Sequence, residues 1–153
     1  MTTIQGLMHR YLGAAWIILM MSGAGLLWLA LDRDPPFVSL SYTATNARPG
    51  EMAQIDAVVR REAWRKCDAE FTRFFIDSAG TRWEITPYTY VTARGLEVFE
   101  KLSPDRLRLP IPIPLGAAPG PAVAIIPLAY RCNIVHAIKP IDVVLEYKFE
   151  VLP

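Results

Sequence analysis

The sequence predicts an all-β domain, an antiparallel sandwich of about seven short strands, preceded by one N-terminal transmembrane helix. Three observations lead there. Leu12 to Leu31 is a run of twenty residues without a charged side chain. At about 1.5 Å of rise per residue, a helix of that length spans a hydrocarbon core roughly 30 Å thick. From Asp32 onward the character changes: charges return, prolines punctuate, and apolar residues alternate with polar ones. All fifteen acidic residues and all but one of the sixteen basic residues lie in this second part. It is about the size of one typical domain.

The expected organisation is therefore a cytoplasmic N-terminus (1–11), a transmembrane helix acting as signal anchor (12–31), a short proline linker (32–37) and a β-sandwich domain (38–153). The flanks set the orientation. His9 and Arg10 precede the run with no acidic residue, whereas Asp32, Arg33 and Asp34 follow it. Positive residues are retained in the cytoplasm, so the domain is expected outside. Trp16 and Trp28 lie toward the two ends of the run, where aromatic belts form. Gly23 and Gly25 would also suit a cleavable signal peptide. Against cleavage, Leu26–Leu31 would then leave an apolar mature N-terminus.

The domain reads as strands in order. Phe37–Thr43 opens with alternation, and Arg48-Pro49-Gly50-Glu51 is a turn, because proline presets one dihedral and glycine accepts a positive one. Met52–Arg60 places Ile55, Ala57 and Val59 on one face, the pattern of a half-buried strand. Cys67–Asp77 and Thr81–Ile85 flank Asp77-Ser78-Ala79-Gly80, the clearest hairpin signal in the chain. Val91–Leu102 fits either a short helix or an irregular crossover, ended by Pro104. Leu107–Pro114 alternates apolar residues with prolines, which cannot donate to a ladder, so it is an edge strand or an extended segment. Ala122–Asn133 and Ile141–Val151 are the last two strands; Val143, Leu145, Tyr147, Phe149 and Val151 share one face of the second.

Cys67 and Cys132 are the only cysteines. In an exported domain such a pair closes a disulfide; two buried thiols are the alternative. Two cysteines and one histidine in the domain, His136, do not complete a metal site at any usual spacing.

Tyr130-Arg131-Cys132 resembles the Tyr-x-Cys step of strand F in the immunoglobulin-like superfamily, where a tyrosine stands two residues before the second cysteine. The resemblance implies a two-sheet sandwich and, in its usual form, a disulfide between the sheets. Here Cys67 follows the second strand, and Trp83 lies past the hairpin turn. A different bridge suits this order. If Cys67 starts the third strand and Cys132 ends the sixth, and these pair antiparallel, the cysteines meet at one end of one sheet.

Chemistry is sparse. Nothing resembles a nucleophile elbow, a phosphate-cradling glycine loop or a zinc-binding helix, so no enzyme activity and no cofactor are expected. Asp68 and Glu70 are close in sequence and read as surface carboxylates. The most suggestive surface feature is Arg60-Arg61-Glu62-Ala63-Trp64-Arg65-Lys66, four basic residues around one acid and one tryptophan. In a sandwich of this type it shares an end with the Asn133–Pro140 loop, which carries His136 and Lys139, and with the incoming N-terminus. Arg60, Arg61, Trp64, Arg65, Lys66, His136 and Lys139 are thus the candidate contacts to the membrane or a partner, and Trp64 alternatively folds against the core. The balanced charge argues against a nucleic-acid partner.

The expectation is a single-pass inner-membrane protein with its domain in a bacterial periplasm, anchored in the bilayer through residues 12–31. It would act as a non-catalytic adaptor or accessory subunit for another envelope or membrane protein. The alternatives are a structural spacer in an envelope or virion complex, and an enzyme with an unrecognised site.

Overall fold

The computed structural model describes residues 2–61, 65–95 and 105–153. The chain divides into two units, 1–33 and 34–153. In the first, helix α1 covers Thr2–Leu31. Its stretch Tyr11–Leu31 is long and apolar enough to cross a membrane. The one serine inside that stretch, Ser22, donates to the Ile18 carbonyl one turn earlier at 2.8 Å, so its hydroxyl carries no unsatisfied donor. Pro35 and Pro36 explain why the helix stops, since the residue before a proline is pushed out of the helical region.

The second unit is mostly β. Among the described residues it holds β1 (Phe37–Ala44), β2 (Met52–Arg61), β3 (Asp68–Ile76), β4 (Arg82–Val91), β5 (Arg106–Pro112), β6 (Gly120–Arg131), a short helix α2 (Ile134–Ile138) and β7 (Ile141–Val151). The strands form two antiparallel sheets, one ordered β1-β2-β5 and the other β4-β3-β6-β7. Both contribute to one apolar core: Ile55, Val59 and Ile111 from the first meet Phe75, Tyr147 and Phe149 from the second. Phe75 and Phe149 pack edge to face with centroids 5.7 Å apart.

The alternation seen in sequence is the alternation that packs. Ala53, Ile55, Ala57 and Val59 of β2 are buried while their neighbours are less so. In β7, Leu145, Tyr147, Phe149 and Val151 face inward. The Asp77–Gly80 hairpin forms, with the Gly80 amide on the Asp77 carbonyl at 2.9 Å and Gly80 in the left-handed region at φ 79°. β5 is an edge strand, and its prolines explain how that edge is protected. The Ile113 amide donates to Glu51 of the loop before β2 at 2.9 Å. Amides alternate sides along a strand, so Pro110 and Pro112 withhold the N–H groups that would have faced the open edge.

Two elements differ from expectation. β4 does not end at Ile85 but continues through Pro87 to Val91; it borders its sheet, where a missing ladder donor is tolerated. The stretch Asn133–Pro140 contains helix α2, because the Asn133 carboxamide oxygen accepts from Val135 N (2.9 Å) and His136 N (3.0 Å) and caps it. The helix-or-crossover expected over 91–102 lies outside the described residues from 96 on, as does Trp64.

The two layers are closed along one side and not the other. The end of β1 is tied to β7: Lys148 N donates to the Tyr42 hydroxyl at 3.0 Å, Glu150 N to the Asn46 side chain at 3.1 Å, and Leu152 N to the Ala47 carbonyl at 2.9 Å. On the opposite side the bordering strands are β5 and β4.

Candidate binding site

Cys67 and Cys132 are joined by a disulfide. It lies within one sheet, at the end of the β3–β6 ladder where Asp68 pairs with Arg131. This is the arrangement anticipated from the strand order, and not a bridge between sheets. Cys67, Ala69, Tyr130 and Ile141 form a small second core against which Phe37 packs. The start of β1, the β2–β3 connection and the β6–β7 connection therefore meet at one end of the domain. The Arg65 guanidinium donates to the Asp34 carbonyl and is buried, while the Arg61 guanidinium lies 5.5 Å from the Phe37 ring centroid. Burial pushes the Tyr130 hydroxyl well above its ordinary pKa, so it stays protonated.

Between the sheets lies a cavity of about 470 Å³, running from this end toward the β4–β5 side. Phe71, Val91, Leu107, Leu109 and Leu128 wall it. Arg61, Arg65, Arg73 and Arg108 also line it, and no acidic side chain does among the described residues. Arg73 is the unusual member. Along β3 the inward phase is Ala69, Phe71, Arg73, Phe75, a charged residue in an apolar row. Its Nε and one Nη donate to the Thr86 hydroxyl at 2.8 and 2.5 Å, and no carboxylate among the described residues pairs with it. Burial pulls the guanidinium below its usual pKa. Arg108, by contrast, is held by Asp56 at 2.9 Å.

No protein-family model matches this chain. A search of curated proteins finds no relative.

The remaining candidates from sequence fall as follows. Arg60, Lys66 and Lys139 are exposed, and Arg61 is half-buried. Lys139 ends α2, its amide on the Val135 carbonyl at 3.0 Å. His136, expected in a loop, is fully buried on α2, so it is packing and not surface; the asparagine cap turns the loop into helix and rotates the imidazole inward. Asp68 accepts from the Tyr90 hydroxyl and from Ala93 N (2.7 Å), with Tyr90 first, which holds its carboxyl below the usual range. Glu70 pairs with Arg131. Both carboxylates thus act within the sheet. Among the described residues no three His, Cys, Asp or Glu side chains are grouped to hold a metal ion.

Sequence reasoning missed Arg73 and Asp77. The signal for Arg73 was present: an arginine in phase with Ala69, Phe71 and Phe75. Asp77 was seen only as a turn residue. Its Oδ1 accepts from the amides of Ala79 (3.0 Å) and Thr81 (2.9 Å), and its Oδ2 from Trp83 Nε1 (2.8 Å) and Ala118 N (3.1 Å). The indole first, then the three amides, hold the carboxyl at about 2, against the opposing effect of desolvation.

Proposed function

We propose that this chain is a single-pass inner-membrane protein, N-terminus in the cytoplasm, whose periplasmic immunoglobulin-like domain serves as a non-catalytic adaptor for another envelope protein. Four features support parts of this reading. Tyr11–Leu31 has the length and apolarity of a span. The Cys67–Cys132 bridge suits an oxidising compartment. The excess of positive charge before the span favours an inside N-terminus. The orders β1-β2-β5 and β4-β3-β6-β7 match strands A-B-E and C′-C-F-G of an immunoglobulin-like sandwich, with Tyr130 two residues before Cys132 as on strand F.

The observation that carries the adaptor role is the convergence at one end of the domain. Arg60, Lys66 and Lys139 are exposed there, beside the start of β1 and the disulfide. Only residues 32–36 separate the span from β1, which keeps that end within reach of headgroups or of a neighbouring membrane protein. Basic residues near anionic headgroups contribute on the order of 1 kcal/mol each.

The test is site-specific photocrosslinking in native membranes, with the photoreactive residue at position 66 or 139 of the full-length protein. One dominant protein adduct, lost when Arg60→Gln is combined with glutamine at whichever of Lys66 and Lys139 is not the probe, is the expected result. Adducts to lipid alone would replace the adaptor with a membrane-resting domain. A fixed large assembly on blue-native gels would favour the spacer role instead.

A further inference from the structure

We infer that the cavity between the sheets binds a long-chain carboxylate, with the Arg73 guanidinium on the head and the apolar walls around the chain. The inference does not depend on the adaptor reading, since it rests on Arg73 and the apolar walls and not on the exposed Arg60, Lys66 and Lys139.

The cavity lies on the side of the domain where β5 and β4 border their sheets, and its volume of about 470 Å³ is that of a small-molecule site. Phe71, Val91, Leu107, Leu109 and Leu128 offer hydrocarbon surface from both sheets. A guanidinium set into such walls is costly unless its donors and its charge are met. Arg73 has five N–H donors, and the two nitrogens it has engaged share a single neutral acceptor, the Thr86 hydroxyl. Its charge has no carboxylate counterpart among the described residues, and none of the described lining residues is acidic.

The chemistry of the occupant follows from this geometry. Thr86 occupies the Nε side of the guanidinium and leaves Nη1 with a free edge. A planar two-oxygen head suits that edge, because paired N–H groups of arginine match the two oxygens of a carboxylate. A carboxylate monoanion balances the Arg73 charge one for one, and Arg108 at the same cavity is already balanced by Asp56. The apolar walls then require that the rest of the ligand be hydrocarbon.

The experiment uses the full-length protein in lipid nanodiscs and a diazirine-bearing fatty acid as photoprobe, with labelled positions mapped by mass spectrometry. Palmitate and cetyl alcohol, which share a chain and differ in the head, serve as competitors. Labelling is expected on cavity positions such as Phe71, Leu107 and Leu128, with palmitate the stronger competitor. Arg73→Met, which keeps an aliphatic stem and removes the charge, should weaken palmitate by about ten- to a hundredfold and leave cetyl alcohol unchanged. The unchanged alcohol shows that the cavity persists in that variant. Arg73→Lys, which keeps the charge and loses the planar fork, should fall between the two. Three results would overturn the inference: labelling confined to residues 12–31, equal competition by acid and alcohol, or unaltered palmitate competition in both Arg73 variants. Each can occur with the crosslinks at positions 66 and 139 intact, so the two readings fail separately.

Discussion

Replacing both halves of the bridge, as Cys67→Ala/Cys132→Ala, tests how the domain is held together. The cysteines are 65 residues apart in sequence. On the chain-entropy relation, a closed loop of that length removes about 15 cal/mol/K from the unfolded ensemble, or about 4 kcal/mol at 25 °C. The folded side should change little, because Asp68 and Arg131 are already partners in the β3–β6 ladder beside the bridge. A small void among Ala69, Tyr130 and Ile141 adds to the loss, since Cys67 is buried there. The assay is urea unfolding of the full-length protein in nanodiscs, followed by tryptophan fluorescence, with and without reductant. Wild type under reductant should lose the loop-closure part alone and so stand slightly above the double variant, which also carries the void. The slope of free energy against urea should steepen, because the uncrosslinked chain exposes more surface when it unfolds. Thermal midpoints should drop by roughly 10–20 °C. A loss below about 1 kcal/mol would refute the reasoning. It would mean that the ends of this loop stay together in the unfolded chain without a covalent link.

Two further predictions concern local devices. The Asp77 carboxyl is held at about 2, below the ordinary 3.8, so folding favours its charged form; that contribution is fully present above pH 3.8 and is lost as pH falls through about 2. Asp77→Asn offers one acceptor oxygen in place of two, so it should be less stable than wild type at pH 6, and the gap in urea midpoint should narrow at pH 2. An unchanged gap would remove the carboxylate's charge from the explanation. Asn133→Ala removes the cap of α2 and should cost about 1 kcal/mol. Hydrogen exchange should report it first at the amides of Val135 and His136, which lose their acceptor; protection equal to wild type at both would show that α2 is held by packing alone.

Much of the architecture was legible because it follows from short-range pattern. The uncharged run becomes a helix with the length of a span, and period-two alternation in β2 and β7 sorts residues into core and surface before any partner is known. Local steric rules were equally readable: Gly80 accepts the positive φ of its turn, and the prolines of β5 place it at an edge. The bridge was accessible on one condition, that β3 and β6 pair antiparallel, which brings the start of one beside the end of the other.

Other features depended on contacts that no local window contains. Pro87 stopped the reading of β4 early, since proline is tolerated only on a border strand and sheet order is a tertiary property. Arg65 looked like a surface cation until its guanidinium met the Asp34 carbonyl, thirty-one residues away in sequence. His136 looked like a loop residue because an asparagine cap seven residues before a proline can close a turn or open a helix, and packing decided between them.

An apolar helix with the length of a span, and the alternation of the strands among the described residues, follow from residue size and hydrophobic periodicity, which act over a few residues. That Arg73 faces a cavity between two sheets, and that Asp77 gathers donors from three segments, follows from the packing of distant strands. Those outcomes depend on which strand lies across from which, and the free energy of burying a charge is set by neighbours that are distant in the chain.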